Sequence, residues 1–408
     1  MRWLTLIAVL AACGPDDGDP IDPCHECGPG AIRAGRFVEG TVYELGGLDA
    51  NRNGALARGD RDQLVWLASD FSIASTQSFM QAPGTSKVTR VSASLFDSGD
   101  ALASVSSEDD FSTYTSLIAL ASDHHQRWRF ELGLVETFQV AADADTVILT
   151  GDHFNAPDNS IVSSGDIIAL DGGDASLRWR RRLPQPDNLL GILIAPGGEV
   201  LVGGEIRNSL DFGGTVGVIE AKGSVDSFVA ALDPATGETR WVTQFSVDRF
   251  VASHIGRFTV GPAGEIAAIV GWQTTIGNDA GTAAGSLTVG ALTVGPQATL
   301  SRAIVLLSPS GEPQWLQPSE DFYALVTDGT RVFGAALGVL SRMSATGVDW
   351  RRSLTGDGIH APDLAQLAGD RLLGTIESTP GSNDVFGPVV DGDVTISGEG
   401  MAYVDIVP

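Results

Sequence analysis

Four oxygen-bearing side chains in one short stretch have the spacing of a calcium loop. In Asp49-Ala50-Asn51-Arg52-Asn53-Gly54-Ala55-Leu56-Ala57-Arg58-Gly59-Asp60, oxygen donors fall at loop positions 1, 3, 5 and 12, with glycine at 6 and an apolar residue at 8. Calcium takes six or more oxygens, and this spacing can wrap them around one ion. Ala57 at position 9, the short Asp60 at 12 and the cations Arg52 and Arg58 depart from the pattern. The competing reading is a solvated Asn/Gly-rich hairpin connection between Tyr43–Leu45 and the apolar run Gln63–Ser69. Cys24 and Cys27 form a second pair, in Pro23-Cys24-His25-Glu26-Cys27-Gly28. A zinc site needs a second Cys/His pair, and none has matching spacing. Haem attachment needs His after the second cysteine, where Gly28 stands, and a redox-active pair opens a helix. In an exported chain a local disulfide remains the plain expectation.

Other nucleophile and metal signatures are missing. The histidines His25, His124, His125, His153, His254 and His360 show no ligand spacing, and no nucleophile elbow, zincin helix motif or phosphate loop occurs. Scattered carboxylates could meet at the mouth of a barrel-like fold, as in some glycoside hydrolases, but they read first as solvated loop charges.

The N-terminus sets the compartment. Arg2 precedes the apolar run Trp3–Leu10, which is too short to span a bilayer, and small residues follow at Ala11 and Ala12. Cys13 directly after Leu10-Ala11-Ala12 resembles the lipobox of bacterial lipoproteins. That resemblance implies a signal peptide over 1–12, cleavage before Cys13 and acylation of Cys13, which supplies several chains and a stable anchor. Gly14 follows the cysteine where an inner-membrane retention signal places Asp, so the outer membrane is the expected location. Residues 13–32 are acidic and Gly/Pro-rich, a linker between anchor and domain.

Charge excludes several functions. The chain carries 51 acidic against 25 basic residues, a net charge of -26, with Lys87 and Lys222 the only lysines. Nucleic-acid binding needs clustered cations, and broad contact with anionic lipid is disfavoured for the same reason. A basic partner or divalent cations suit the balance.

The elements that must position any site read as all-β from 33 to 408. Short apolar runs alternate with Gly/Asp/Asn/Pro clusters, and no stretch has helical periodicity. Seven runs look like the same strand of successive units: Gln63–Ser69, Ser116–Ser122, Asp166–Asp171, Phe228–Asp233, Ala303–Ser308, Gly338–Ser344 and Met401–Val407. Each is almost continuously apolar, as strands buried on both faces are. Five are followed by a tight turn and a tryptophan: Trp128, Trp179, Trp241, Trp315 and Trp350. Such a recurrence marks a repeat architecture. The last run has no following strand, and a segment such as Arg36–Leu45 is expected to close that unit.

The phrase Ala231-Leu232-Asp233-Pro234-Ala235-Thr236-Gly237-Glu238-Thr239-Arg240-Trp241 resembles the tryptophan-docking repeat of quinoprotein-type (PQQ-like) β-propellers. Asp211-Phe212-Gly213-Gly214 through Phe228–Asp233 is similar to repeats of seven-bladed bacterial extracellular propellers. The resemblance implies a β-propeller of seven four-stranded blades, with each tryptophan lying flat between adjacent blades. It does not extend to catalysis. Quinoprotein dehydrogenases need a base carboxylate, calcium ligands and cationic contacts to the quinone, and no such set is evident. The lipidated propellers of outer-membrane protein assembly, which scaffold without a cofactor, are closer in kind. The expected role is a non-enzymatic binding or scaffolding module for an envelope protein or glycan. The alternative is a ligand-binding or catalytic propeller using its axial funnel, with quinone, sugar or calcium.

Overall fold

The computed structural model describes strands from Ile32 to Ile406 and most of the turns that join them. Residues 1–31, 40–48, 184–188, 275–284, 296–300 and 354–363, with shorter pieces, lie outside the described residues, and side chains are described mainly from 62 to 351. Every regular element is a strand.

The strands form antiparallel sheets in chain order. Six sheets have four strands and one has six among the described residues. Sheet 1 runs Asp49–Asn51, Gly54–Arg58, Gln63–Leu67 and Ile73–Ser78. Sheet 2 runs Lys87–Leu95, Ala101–Glu108, Thr113–Leu120 and Gln126–Leu134. Sheet 3 runs Thr137–Ala142, Thr146–Asp152, Asp166–Asp171 and Leu177–Arg182. Sheet 4 begins with Leu189–Ile194, Val200–Ile206, Asp226–Leu232 and Thr239–Val247. Sheet 5 runs Val251–Val260, Ile266–Thr274, Ser301–Leu307 and Pro313–Pro318. Sheet 6 runs Ala324–Thr327, Val332–Ala336, Val339–Ser344 and Gly347–Ser353. Sheet 7 takes Leu364–Leu367, Arg371–Ser378 and Gly400–Ile406, and its fourth strand is the N-terminal Ile32–Glu39.

First strands touch those of neighbouring sheets, and the first strand of sheet 7 touches that of sheet 1. The fold is a β-propeller. Its closing strand spans Ile32–Glu39 rather than Arg36–Leu45, pairing Phe37 with Ala402. All seven apolar runs picked out from sequence are third strands. Burial explains why they stand out: Asp226–Leu232 is buried at every position. Phe228, Ala230 and Leu232 face sheet 3, while Val229 and Ala231 face sheet 5. The hydrophobic core is thus a set of layers, each between two successive sheets.

A one-residue bulge recurs in the fourth strand of all seven sheets. It falls immediately before Trp128, Trp179, Trp241, Trp315 and Trp350, before Ser75 in sheet 1, and before Ala34 in sheet 7. A bulge re-aims the next side chain and increases the local twist.

Four additional hairpins are inserted between second and third strands, a feature the sequence reading missed. They are Phe154–Asn155 with Ile161–Val162, Ser209–Asp211 with Val218–Glu220, Leu287–Val289 with Leu292–Val294, and Asn383–Val389 with Gly392–Ser397. The Asp211-Phe212-Gly213-Gly214 segment belongs to the second of these, not to a blade strand. In an up-and-down sheet the second–third connections all emerge at one end, together with the links to the next sheet. The hairpins are rooted at that end and the tight turns lie at the other, but the tip of the second hairpin reaches the tight turn of its own sheet, where the Thr239 hydroxyl donates to Phe212 O. Leu287–Val289 pairs with Phe245–Val247 and so extends sheet 4 from sheet 5.

Candidate functional site

The five repeat tryptophans are packing residues, and the structure shows how. The Trp179 indole N–H donates to the Pro234 carbonyl of the next sheet's turn at 2.8 Å, and its ring lies against Gly237. A Cβ on Gly237 would stand 2.7 Å from Trp179 Cε3. Trp241 lies on Gly311 in the same way, with a Cβ there 2.4 Å from its Cε3. Trp128 donates to Gly172 O at 2.8 Å and Trp315 to Thr330 O at 3.3 Å, both in the following sheet. The indole N–H of Trp350 is buried without a partner among the described residues.

The residue four before Trp128, Trp179, Trp241 and Trp315 takes a positive φ, whereas before Trp350 it is Gly347, three residues ahead (110°). The four are Gly237 (72°) and Gly311 (80°), but also Ala175 (61°) and His124 (69°). At sheet 1 the arrangement is inverted. Ser75 occupies the tryptophan position, and its cross-strand partner Trp66 docks instead, stacked on His124 with ring centroids 4.1 Å apart. His124 Nδ1 lies 3.1 Å from Ser75 Oγ. This histidine, expected in an exposed loop, is an inter-blade contact.

Carboxylates at the tight-turn end serve the turns. Asp233 accepts the Ala235 and Thr236 N–H groups and pairs with Arg240 at 2.9 Å. The hydrogen bond from Arg240, then the one from the Ala235 N–H, holds its pKa below the usual carboxylate value. Asp171 repeats this with Arg178 and Gly173. At Asp328 burial works to raise the pKa, but N–H groups of Arg331 and Thr330 together with their side chains outweigh it, and the net shift is down. A group ionised more readily in the folded state stabilises above its unfolded pKa, near 4, and loses that contribution as pH falls below it. Asp328→Asn is therefore expected to lower stability at pH 7, with the gap to the parent closing below about pH 4. Urea unfolding at several pH values measures it; a gap constant with pH contradicts it. These groups are engaged and ionised, not poised for proton transfer.

The arginine-rich strand Leu177–Arg182 holds two inserted hairpins. Arg180 donates to Ser160 Oγ, to Ile161 O at 2.9 Å and to the buried Asp166 carboxylate. Its neighbour Arg181 donates to Phe212 O and Gly237 O of sheet 4, and burial pulls its pKa down. Read as an exposed edge, the run Arg180-Arg181 is a clamp. The hairpins so held expose two aliphatic residues, Ile161 at 54% and Val218 at 61%.

The axis holds a cavity of about 500 Å³. It is lined by the first strands of sheets 3, 4 and 5, through Gln139, Leu190–Leu193 and Gly256–Phe258, with Ser104 and Ser106 of sheet 2. Leu190 and Gly256 are themselves bulge residues of their strands. Arg257 is the one charged residue of the described lining, which contains no carboxylate. No carboxylate that could serve as the base or calcium ligand of a quinone-dependent dehydrogenase is among the described lining residues.

Asp49 and Asn51 lie in the first strand of sheet 1, which pairs with Gly54–Arg58 and leaves Arg52 and Asn53 as the connection. Asn53 and Asp60 lie outside the described residues. Asp49–Asn51 and Gly54–Arg58 are paired strands of sheet 1 rather than a connection between Tyr43–Leu45 and Gln63–Ser69. No group of three His, Cys, Asp or Glu side chains suited to a metal occurs among the described residues. Cys13, Cys24 and Cys27 lie outside the described residues.

No protein-family model matches the chain, and no curated protein matches it in sequence. Among solved structures it is similar to BamB from Moraxella catarrhalis, at 17% identity and a TM-score of 0.45, over 91% of this chain and 99% of that one. It is also similar to quinohemoprotein alcohol dehydrogenase from Comamonas testosteroni, at 12% identity and a TM-score of 0.44, over 87% of this chain and 65% of that one. A europium-containing methanol dehydrogenase matches at 13% identity and a TM-score of 0.42, over 90% and 81%.

Proposed function

We propose that this protein is a non-enzymatic envelope lipoprotein, anchored through Cys13 in the outer membrane. Its propeller has seven blades and presents the hairpin-bearing end to a protein partner. The lipobox and the acidic linker support the anchor. Seven sheets of four or more strands among the described residues, with sheet 7 touching sheet 1, support the blade count.

One observation carries the functional reading: Ile161 and Val218 stand exposed on inserted hairpins of adjacent blades, both held by arginines of the strand Leu177–Arg182. Clamping by Arg180 and Arg181 pre-orders the surface, which lowers the entropic cost of binding. Exposed aliphatic side chains favour a protein over a glycan, because they supply neither hydrogen bonds nor an aromatic platform for a sugar. The acidic chain further suits a partner with basic character. The turn carboxylates and docking tryptophans serve the fold, and the reading needs no cofactor.

Affinity capture from native membranes after mild crosslinking tests it, with Cys13→Ala as control. The expected result is a stoichiometric envelope protein lost with the anchor. A glycan recovered instead, or no partner on an intact anchored protein, contradicts it. The axial cavity supports a second reading, a ligand site in the funnel.

A further inference from the structure

Resting on that second reading, we infer that the axial cavity binds a small organic anion with an apolar body. The charge at the site is of the opposite sign to the chain. Against a net charge of -26, the described lining holds one ionic group, the Arg257 guanidinium. Arg257 is solvent-exposed and makes no hydrogen bond or ion pair among the described residues. Many of the other described arginines are engaged: Arg127, Arg178, Arg180, Arg240, Arg331 and Arg342 are each paired with a carboxylate, whereas none among the described residues is paired with Arg257. An unpaired guanidinium beside a concave surface is a ready receptor for a carboxylate, which it can meet with two parallel N–H donors.

The walls set the rest of the ligand. Leu190, 37% exposed, is carried into the lining by the bulge in its strand, and Phe258 and Leu193 add apolar surface. The hydroxyl residues Ser104 and Ser106 and the amide of Gln139 make the lining about as polar as it is apolar, and about 500 Å³ is within the range of small-ligand sites. The carboxylates that a hydrated cation needs are absent from the described lining.

The Phe258 ring depends on two glycines of sheet 4. A Cβ on Gly191 would stand 2.2 Å from Phe258 Cε1, and one on Gly203 2.8 Å from it. The ring therefore lies where a side chain would otherwise be, which keeps the cavity open. Gly191→Ala must displace the ring and reshape the apolar wall.

Titration calorimetry on the folded protein tests the inference, with hexanoate as probe, hexanol as its neutral counterpart and sulfate as charge without an apolar body. Hexanoate is expected to bind at least about tenfold more tightly than hexanol or sulfate. Arg257→Gln is expected to weaken hexanoate about tenfold or more while changing hexanol less than about twofold. Gly191→Ala is expected to weaken both organic probes. Because Arg257 is exposed and unpaired, its replacement leaves the melting temperature unchanged, so lost binding is not lost folding. If neither organic probe binds, the funnel reading itself fails. If both bind equally and Arg257→Gln changes nothing, the cavity is a site but its selectivity for an anion is refuted. If sulfate matches hexanoate, the apolar wall plays no part and the inference is overturned.

Discussion

Trp179→Ala is expected to destabilise the protein by about 3–5 kcal/mol, the range for removing a large buried aromatic. Trp179 is 8% exposed and belongs to the layer between sheets 3 and 4. Its loss empties the space over Gly237 and orphans the Pro234 carbonyl. The neighbouring turn is built for the ring, because at Gly237 a side chain would meet Trp179 within 2.7 Å and the backbone already has φ of 72°. Gly237→Ala should therefore destabilise strongly with Trp179 present and much less in the Trp179→Ala background, where only the backbone strain remains. Denaturant unfolding of the two single variants and the double measures the coupling. Additive effects, or a loss under about 1 kcal/mol for Trp179→Ala, would mean that the indole does not dock the blades.

Deleting residues 1–39 is expected to have the larger consequence of abolishing cooperative unfolding of the ring. Ile32–Glu39 is the fourth strand of sheet 7, and it pairs along Gly400–Ile406 from Glu39 opposite Gly400 to Ile32 opposite Ile406. Without it, Gly400–Ile406 becomes an open edge, a template for pairing with another chain. The ends of the chain also lose their only shared sheet, so nothing holds sheet 7 against the N-terminal half except contact between first strands. Deleting residues 1–31 instead leaves the closing strand whole and is expected to keep the parent's melting temperature. Scanning calorimetry of the two truncations separates these outcomes. A cooperative, monomeric 40–408 chain with an unchanged midpoint would refute closure by the N-terminal strand.

What was legible in the sequence follows from where water is excluded. Third strands such as Asp226–Leu232 are buried on both faces, so their composition alone marks them. The turn before each tryptophan is legible too, because a positive φ leaves a glycine at 237 and 311. First strands are less apolar, since they face the axis; Leu189–Ile194 is mostly half-buried and left only a short signal. Three of the inserted hairpins have only two or three residues per strand, below the length at which alternation is readable. At sheet 1 the expected tryptophan is Ser75, and only the cross-strand register shows that Trp66 replaces it across the same interface. The axial cavity is assembled from four sheets far apart in sequence, so no local pattern could announce Arg257 as its single charge. The same holds for Arg180 and Arg181, whose acceptors at Ile161 and Phe212 lie on hairpins of two different blades.

The most direct test of the account is capture from crosslinked native membranes with the double variant Ile161→Asp, Val218→Asp, set against the parent protein at equal abundance. Both side chains are more than half exposed, so the variant should keep the parent's melting temperature. The account predicts that the stoichiometric protein partner is lost while membrane anchoring through Cys13 persists. A partner retained at full stoichiometry by the anchored double variant would contradict it and place recognition elsewhere on the propeller.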